Sequence, residues 1–150
     1  MSTNHPGFLG TLGWDPAGGT SYTTIARVRD MTGPSISRSD IEVADRSMTT
    51  YYKEYLGGMN DPGAITFDLT WDPIGDTTHA QASGTGLLAD FETSQCTQAA
   101  WQWQLDGCGG TATFTFDGYV NSFEVSAPLE DVLTASVGVK VSGKPTLAVA

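Results

Sequence analysis

Two stretches of strict two-residue alternation constrain this chain more than any other feature. In residues 64–72, Ile65, Phe67, Leu69 and Trp71 alternate with Thr66, Asp68, Thr70 and Asp72. In residues 132–142, Leu133, Ala135, Val137, Val139 and Val141 alternate with Val132, Thr134, Ser136, Gly138, Lys140 and Ser142. Successive side chains of a strand point to opposite faces, so each stretch buries one face and wets the other. A helix of period 3.6 would scatter the same apolar residues around its axis. Residues 100–105 and 111–125 read as further strands, the longer one kinked at Asp117-Gly118. So do residues 23–29 and 35–43, which flank the Gly33-Pro34 punctuation as a hairpin or corner. In the latter, Ile41 and Val43 should be buried while Asp40 and Glu42 face water, and Asp45-Arg46-Ser47 closes the strand. One helix is predicted at residues 85–93, where Leu87, Leu88 and Phe91 form a stripe behind a Thr85 N-cap. Six to eight strands with one flanking α-helix give a mainly β chain, a β-sandwich or barrel.

Composition agrees. Glycine supplies 18 of 150 residues, about 12% against a typical ~7%, and Thr, Ser and Val are plentiful, a mixture suited to strands and turns. A chain of this length buries roughly 68–70% of its unfolded surface, so one domain can hold a core without metal or disulfides. Cys96 and Cys108 flank the strand at 100–105, which separates them unless the loops double back, and they read as two reduced thiols. No basic leader, no long apolar run and no N-x-Ser/Thr acceptor is present, which favours an intracellular origin and no membrane association. Trp14-Asp15-Pro16 and Trp71-Asp72-Pro73 share letters through common turn chemistry, not through an internal repeat.

Two segments resist a simple strand reading. Residues 1–21 combine seven Gly and Pro with isolated Phe8, Leu9, Leu12 and Trp14, and read as an extended N-terminal arm that either frays or docks on this subunit or a neighbour. Residues 44–63 form a long loop or contain a short helix. Met48, Tyr51, Tyr52, Tyr55, Leu56 and Met59 are spaced by three and four before Asp61-Pro62-Gly63 stops any continuation. Those side chains suit either a partner or a flap over the subunit's own core.

The chemistry-bearing residues argue mostly by exclusion. Seven Lys and Arg against 17 Asp and Glu give a net charge of -10, the wrong sign for gripping nucleic acid through counterion release. His5 and His79 lack partners at metal-ligand spacing, and no phosphate loop, nucleophile elbow or calcium loop is present. No cofactor and no catalytic residue is expected. A glycosidase would need two acids beside aromatic platforms. Asp68 and Asp72 lie on the wet face, however, while Trp101 and Trp103 share a face with Leu105 as core residues do. Asp40, Glu42, Asp68 and Asp72 read as solvated strand faces unless something gives them a common destination.

A resemblance supplies one. Val28 through Met31-Thr32-Gly33-Pro34, Ile41-Glu42-Val43, Asp45-Arg46-Ser47, and Tyr55-Leu56-Gly57-Gly58-Met59-Asn60-Asp61-Pro62-Gly63 before Ile65-Thr66-Phe67 resemble the tail tube (major tail) proteins of long-tailed bacteriophages, the siphoviruses. The likeness continues through Phe116-Asp117-Gly118-Tyr119-Val120-Asn121-Ser122-Phe123, Ala127-Pro128-Leu129-Glu130-Asp131-Val132 and Ser142-Gly143-Lys144-Pro145. It departs in having Ala44 where many members have Thr, and in ending without an appended immunoglobulin-like domain. The resemblance implies an arm at 1–21, a tube domain at 22–147 and a short tail at 148–150. It further implies a structural virion protein, made in the host bacterial cytoplasm, whose hexameric rings stack into a conduit for genome DNA. Partners would be further copies of itself and the tape-measure, tail terminator and distal tail proteins, with DNA passing unbound. Asp40, Glu42, Asp68 and Asp72 would then line an acidic lumen. Phe8, Trp14, Met48, Tyr51, Tyr52, Tyr55 and Met59 would reach neighbouring rings or subunits. Two alternatives are a carbohydrate-binding or adhesion module stacking sugars on Trp14, Tyr51 and Tyr52, and the tube of a related phage-like particle.

Overall fold

The computed structural model describes residues 10–25, 27–47, 49–72, 74, 87, 98–107 and 109–149. They form nine strands: β1 (Gly10–Asp15), β2 (Thr23–Thr24), β3 (Val28–Thr32), β4 (Ser37–Val43), β5 (Glu54–Asp61), β6 (Ala64–Thr70), β7 (Ala99–Gly107), β8 (Gly110–Ser126) and β9 (Thr134–Val149). Seven make one antiparallel sheet in the order β2-β1-β7-β8-β9-β6-β3, and β4 and β5 pair separately as a two-stranded ribbon. The protein is mainly β, as its alternation requires. The helix predicted at 85–93 lies outside the described residues except for Leu87, whose side chain is buried.

The main sheet must curl. Its outermost strands, β2 and β3, are consecutive in the chain and joined only by residues 25–27. Four Cα steps reach at most ~14 Å, whereas six gaps at ~4.8 Å would hold the edges of a flat sheet roughly 29 Å apart. The sheet therefore closes into a half-barrel, its two edges drawn together at one end. Arg27 adopts a left-handed φ of 59°, a conformation no strand continues through. This is why the strand predicted at 23–29 breaks in two. On one side of the link, Ile25 N–H donates to Leu12 O at 2.8 Å; on the other, Thr70 N–H donates to Arg27 O at 3.0 Å.

The concave side holds the core. Ile65, Phe67 and Leu69 of β6 and Ala135, Val137, Val139 and Val141 of β9 are buried, the faces their alternation selects. At the centre Trp101 packs against Trp14, Phe67 and Phe116 with ring centroids 5.4, 6.2 and 6.4 Å away. Its indole N–H donates to Gly118 O at 3.3 Å, so its polar atom is not orphaned. The kink expected near Asp117 is a register shift between Thr115 and Asp117, followed by another between Val120 and Ser122.

Three expectations change. Residues 10–15 are not arm but a strand in register with β7, and Leu12 and Trp14 are each 1% exposed. Apolar residues at every second position, matched by open backbone on β7, outweigh the surrounding glycines. Residues 54–61 are neither helix nor loop, because β4 offers them a partner from Ser37↔Asp61 to Val43↔Glu54. The last strand runs beyond Ser142 to Val149, where it continues to pair with β8 up to Ala112. Residues 148–149 are thus part of the sheet, not a tail.

Candidate assembly surfaces

The convex face of the main sheet is polar and regular. Residues directly opposite one another on neighbouring strands share a face, so the register defines rows across it. One row runs Asp68–Ser136–Glu124, the next Thr70–Thr134–Ser126, and on the other flank Thr11–Gln104–Thr113 and Gly13–Gln102–Thr115. Asp68 and Glu124 are two strand spacings apart, ~10 Å. With Arg29 and Asp30 they line a shallow depression of about 340 Å³. Glu124 was not among the acids singled out from sequence; the register that pairs it with Ser136 is what puts it beside Asp68.

The ribbon is amphipathic. On one face Ile41 lies opposite Leu56 and Val43 opposite Glu54; on the other, Asp40 lies opposite Gly57 and Glu42 opposite Tyr55. A register shift between Arg38 and Asp40 leaves Gly58 and Met59 together opposite Ser39, a bulge in β5. Nothing in the described part of the subunit covers the centre of the apolar face, where Ile41 is 52% and Leu56 61% exposed; Met59, in the bulge, is 89% exposed. The burial expected for Ile41 therefore fails and that of Val43 is partial, because among the described residues β4 has a partner strand but no opposing layer. At the ribbon tip Tyr51 and Tyr52 are fully exposed. The Asp45 carboxylate accepts hydrogen bonds from the Ser47 hydroxyl and backbone N–H, closing β4 as predicted. Those bonds, the hydroxyl's first, hold its pKa below the ordinary value.

The four acids expected along a lumen fall on two parts of the subunit, the ribbon and the main sheet. Asp40 and Glu42 sit on the ribbon, where Glu42 meets Lys53 at 3.6 Å. Asp68 is on the convex sheet. Asp72 lies at the end of β6, where it accepts from Ile74 N–H at 3.3 Å and pairs with Arg27 at 3.4 Å. Asp15 accepts from Ala17 N–H in the same way, at 3.0 Å, which confirms the shared turn chemistry of the two Trp-Asp-Pro triplets. Among the expected contact residues, Tyr51, Tyr52, Tyr55 and Met59 are exposed on the ribbon or its tip. Trp14 is in the core, and Phe8 and Met48 lie outside the described residues. Ile36, Leu129, Leu147 and Val149 are exposed apolar residues that the sequence did not flag. Among the described residues no group of His, Cys, Asp and Glu could hold a metal ion.

Residues 10–148 match the family of the lambda phage tail tube protein. The chain belongs to that family. Tail tube proteins are structural, and membership makes this chain a structural component of a phage tail. A curated relative, Structural protein 3 of Pseudomonas phage PAJU2, is 26% identical over 132 residues, covering 80% of this chain and 79% of its own. The fold is shared with the tail of an empty gene transfer agent particle refined with helical and C6 symmetry. There the TM-score is 0.69 at 14% identity, over 97% of this chain and 99% of the other. It is shared also with the SPP1 tail tube, at TM-score 0.62 and 14% identity, over 96% of this chain and 78% of the other.

Proposed function

We propose that this protein forms six-fold rings stacked into a hollow tail tube through which DNA travels, with no catalysis of its own. The observation that carries the reading is the ribbon. A two-stranded hairpin is marginal in water by itself, and monomers rarely leave a contiguous apolar face open. Here Ile41 and Leu56, beside a half-buried Val43, form one such face, with Tyr51 and Tyr52 at its tip. Against a neighbouring copy in the tube these groups would be dry. A head-to-tail contact of this kind generates rings and helical stacks from one repeated interface, consistent with the C6 symmetry of the gene transfer agent tail that shares the fold.

The same amphipathicity suggests an orientation. If the apolar face packs on protein, Asp40 and Glu42 turn away from it and can continue an acidic wall begun by Asp68 and Glu124 on the convex sheet. Asp72, tied to Arg27, adds less charge. Duplex DNA carries one negative charge per ~1.7 Å and would adhere to a basic channel. A wall of hydroxyls, amides and carboxylates lets it slide. Tape-measure, terminator and distal tail proteins are the partners such a tube requires. Tyr51, Tyr52 and Met59 are the residues proposed to bridge copies, while Tyr55, opposite Glu42, shares the acidic face.

Electron microscopy of the purified full-length protein tests the reading. Tubes of six-fold symmetry are expected, with Asp40, Glu42 and Asp68 facing the channel. A protein that stays monomeric at all concentrations would overturn the assembly, and those carboxylates on the outer wall would overturn the lumen assignment. The sugar-binding alternative loses ground because Trp14, its largest stacking platform, is buried.

A further inference from the structure

The ribbon joins the half-barrel through two short connectors, residues 33–36 and 62–63, which run side by side. Gly63 has a φ of 74°, and a Cβ there would collide with the Ser35 carbonyl oxygen; one on Gly33, whose φ is 129°, would stand 2.9 Å from Ala64 O and from Ile65 Cα. The connectors are therefore packed backbone to backbone, with space for neither side chain. Gly63 O accepts from Val141 N–H at 3.1 Å, anchoring one connector to β9. Above this root sits Asp61, the last residue of β5. Its Oδ1 accepts from Gly63 N–H at 2.8 Å and from Lys140 Nζ at 3.1 Å. Lys140 stands in the middle of β9, between Ala64 and Tyr119. Among the described residues this is the one side-chain hydrogen bond or ion pair that joins the ribbon to the main sheet. The next rung out, Arg38 Nε to Asn60 Oδ1 at 2.7 Å, stays within the ribbon.

We infer that Asp61 and Lys140 form a latch that sets the angle of the ribbon on the half-barrel, making both positioning residues for the stacking of one ring on the next. The inference rests on the tube reading and adds a cause for its geometry. The tightly packed connectors fix where the ribbon is rooted but leave it free to tilt about that root, and among the described residues no layer packs on the ribbon to stop it. A carboxylate shared between the connector's own N–H and a lysine of the central strand resists that swing in the direction that matters. Ring stacking needs every ribbon of a ring presented at the same angle, so a small bias per subunit is felt six times. The pair is partly exposed, with side chains 37% and 61% accessible for Lys140 and Asp61. The bias per subunit is accordingly modest, about two- to five-fold in the ratio of latched to unlatched ribbon, the range of an exposed ion pair.

The test uses the full-length chain and three variants. Lys140→Met keeps the aliphatic stem and removes the charge. Asp61→Asn keeps the oxygen that caps Gly63 and removes the charge. Lys140→Arg keeps the charge and should rescue. Residual dipolar couplings of backbone amides in the unassembled subunit report the ribbon's orientation directly, and light scattering reports tube growth. In the wild type and Lys140→Arg, one alignment tensor should fit ribbon and sheet together. In Lys140→Met and Asp61→Asn the ribbon couplings should shrink relative to those of the sheet, while tube growth slows at least two- to five-fold. The gap in growth rate should narrow at 1 M salt, where the Debye length is ~3 Å. Unchanged ribbon couplings in both charge-removing variants would overturn the latch. Reduced couplings with wild-type growth would overturn its role in stacking. A wild type that grows no tubes would instead defeat the tube reading, and the couplings would still decide whether the latch exists.

Discussion

The β6–β9 pair and the β4–β5 ribbon are both antiparallel, both alternate, and differ entirely in fate. Ile65, Phe67 and Leu69 of β6 are buried beneath the aromatic cluster around Trp101, whereas Ile41 of β4 and Leu56 of β5 lie open to water. The difference lies outside the strands themselves. β6 has neighbours on both sides and a curled sheet closing over its apolar face; among the described residues the ribbon strands have only each other. Alternation reports that one face of a strand is to be covered. It does not report whether the cover belongs to the same chain.

Substitutions can break this contrast, the largest effect falling in the half-barrel. Trp101→Ala removes the ring that Trp14, Phe67 and Phe116 surround and should cost about 3–5 kcal/mol, read by urea denaturation of the unassembled subunit. At the boundary between the two regions, Gly63→Ala forces a side chain onto a left-handed backbone and into Ser35. A loss of about 1–3 kcal/mol is expected in the same experiment, with Gly143→Ala nearer the low end because nothing lies within 4 Å of its Cβ position. In the ribbon the prediction reverses. Ile41→Ser with Leu56→Ser should change subunit stability by only about 0.5 kcal/mol, yet abolish tubes in electron micrographs. Comparable losses of stability from ribbon and core substitutions would erase the distinction.

Fold class, the core faces of β6 and β9 and the two Asp turns were legible because each follows from local periodicity or local hydrogen bonding. The ribbon was not. Residues 54–61 contain Gly57, Gly58 and a bulge at Met59, which obscure the alternation, and Tyr51, Tyr55 and Met59 happen to fall four apart, as on a helix. Residues 10–15 were hidden by flanking glycines, since what makes them a strand is β7, some ninety residues further on. The acids were legible as wet-face residues, but Glu124 joined Asp68 only through β9, a register no single segment contains.

The smallest effect is expected from pH. Asp61 is held below its ordinary pKa first by the Gly63 N–H and then by Lys140. Its pKa is thus lower folded than unfolded, so its contribution is complete above the usual carboxylate range and is lost as pH falls through the lower folded value. Dipolar couplings followed down in pH should show the ribbon loosening before the half-barrel unfolds. Simultaneous loss of both signals would mean that ribbon and sheet melt as one unit.

The three-residue crossing from β2 to β3 has a mechanical side. Because the chain itself spans the seam, the half-barrel cannot flatten without pulling β2 off β1 or β3 off β6. The curl of each copy is therefore fixed by covalent tether before any neighbour arrives. Any force that tried to open the sheet would be carried partly along that crossing, as a strap carries it around a cask.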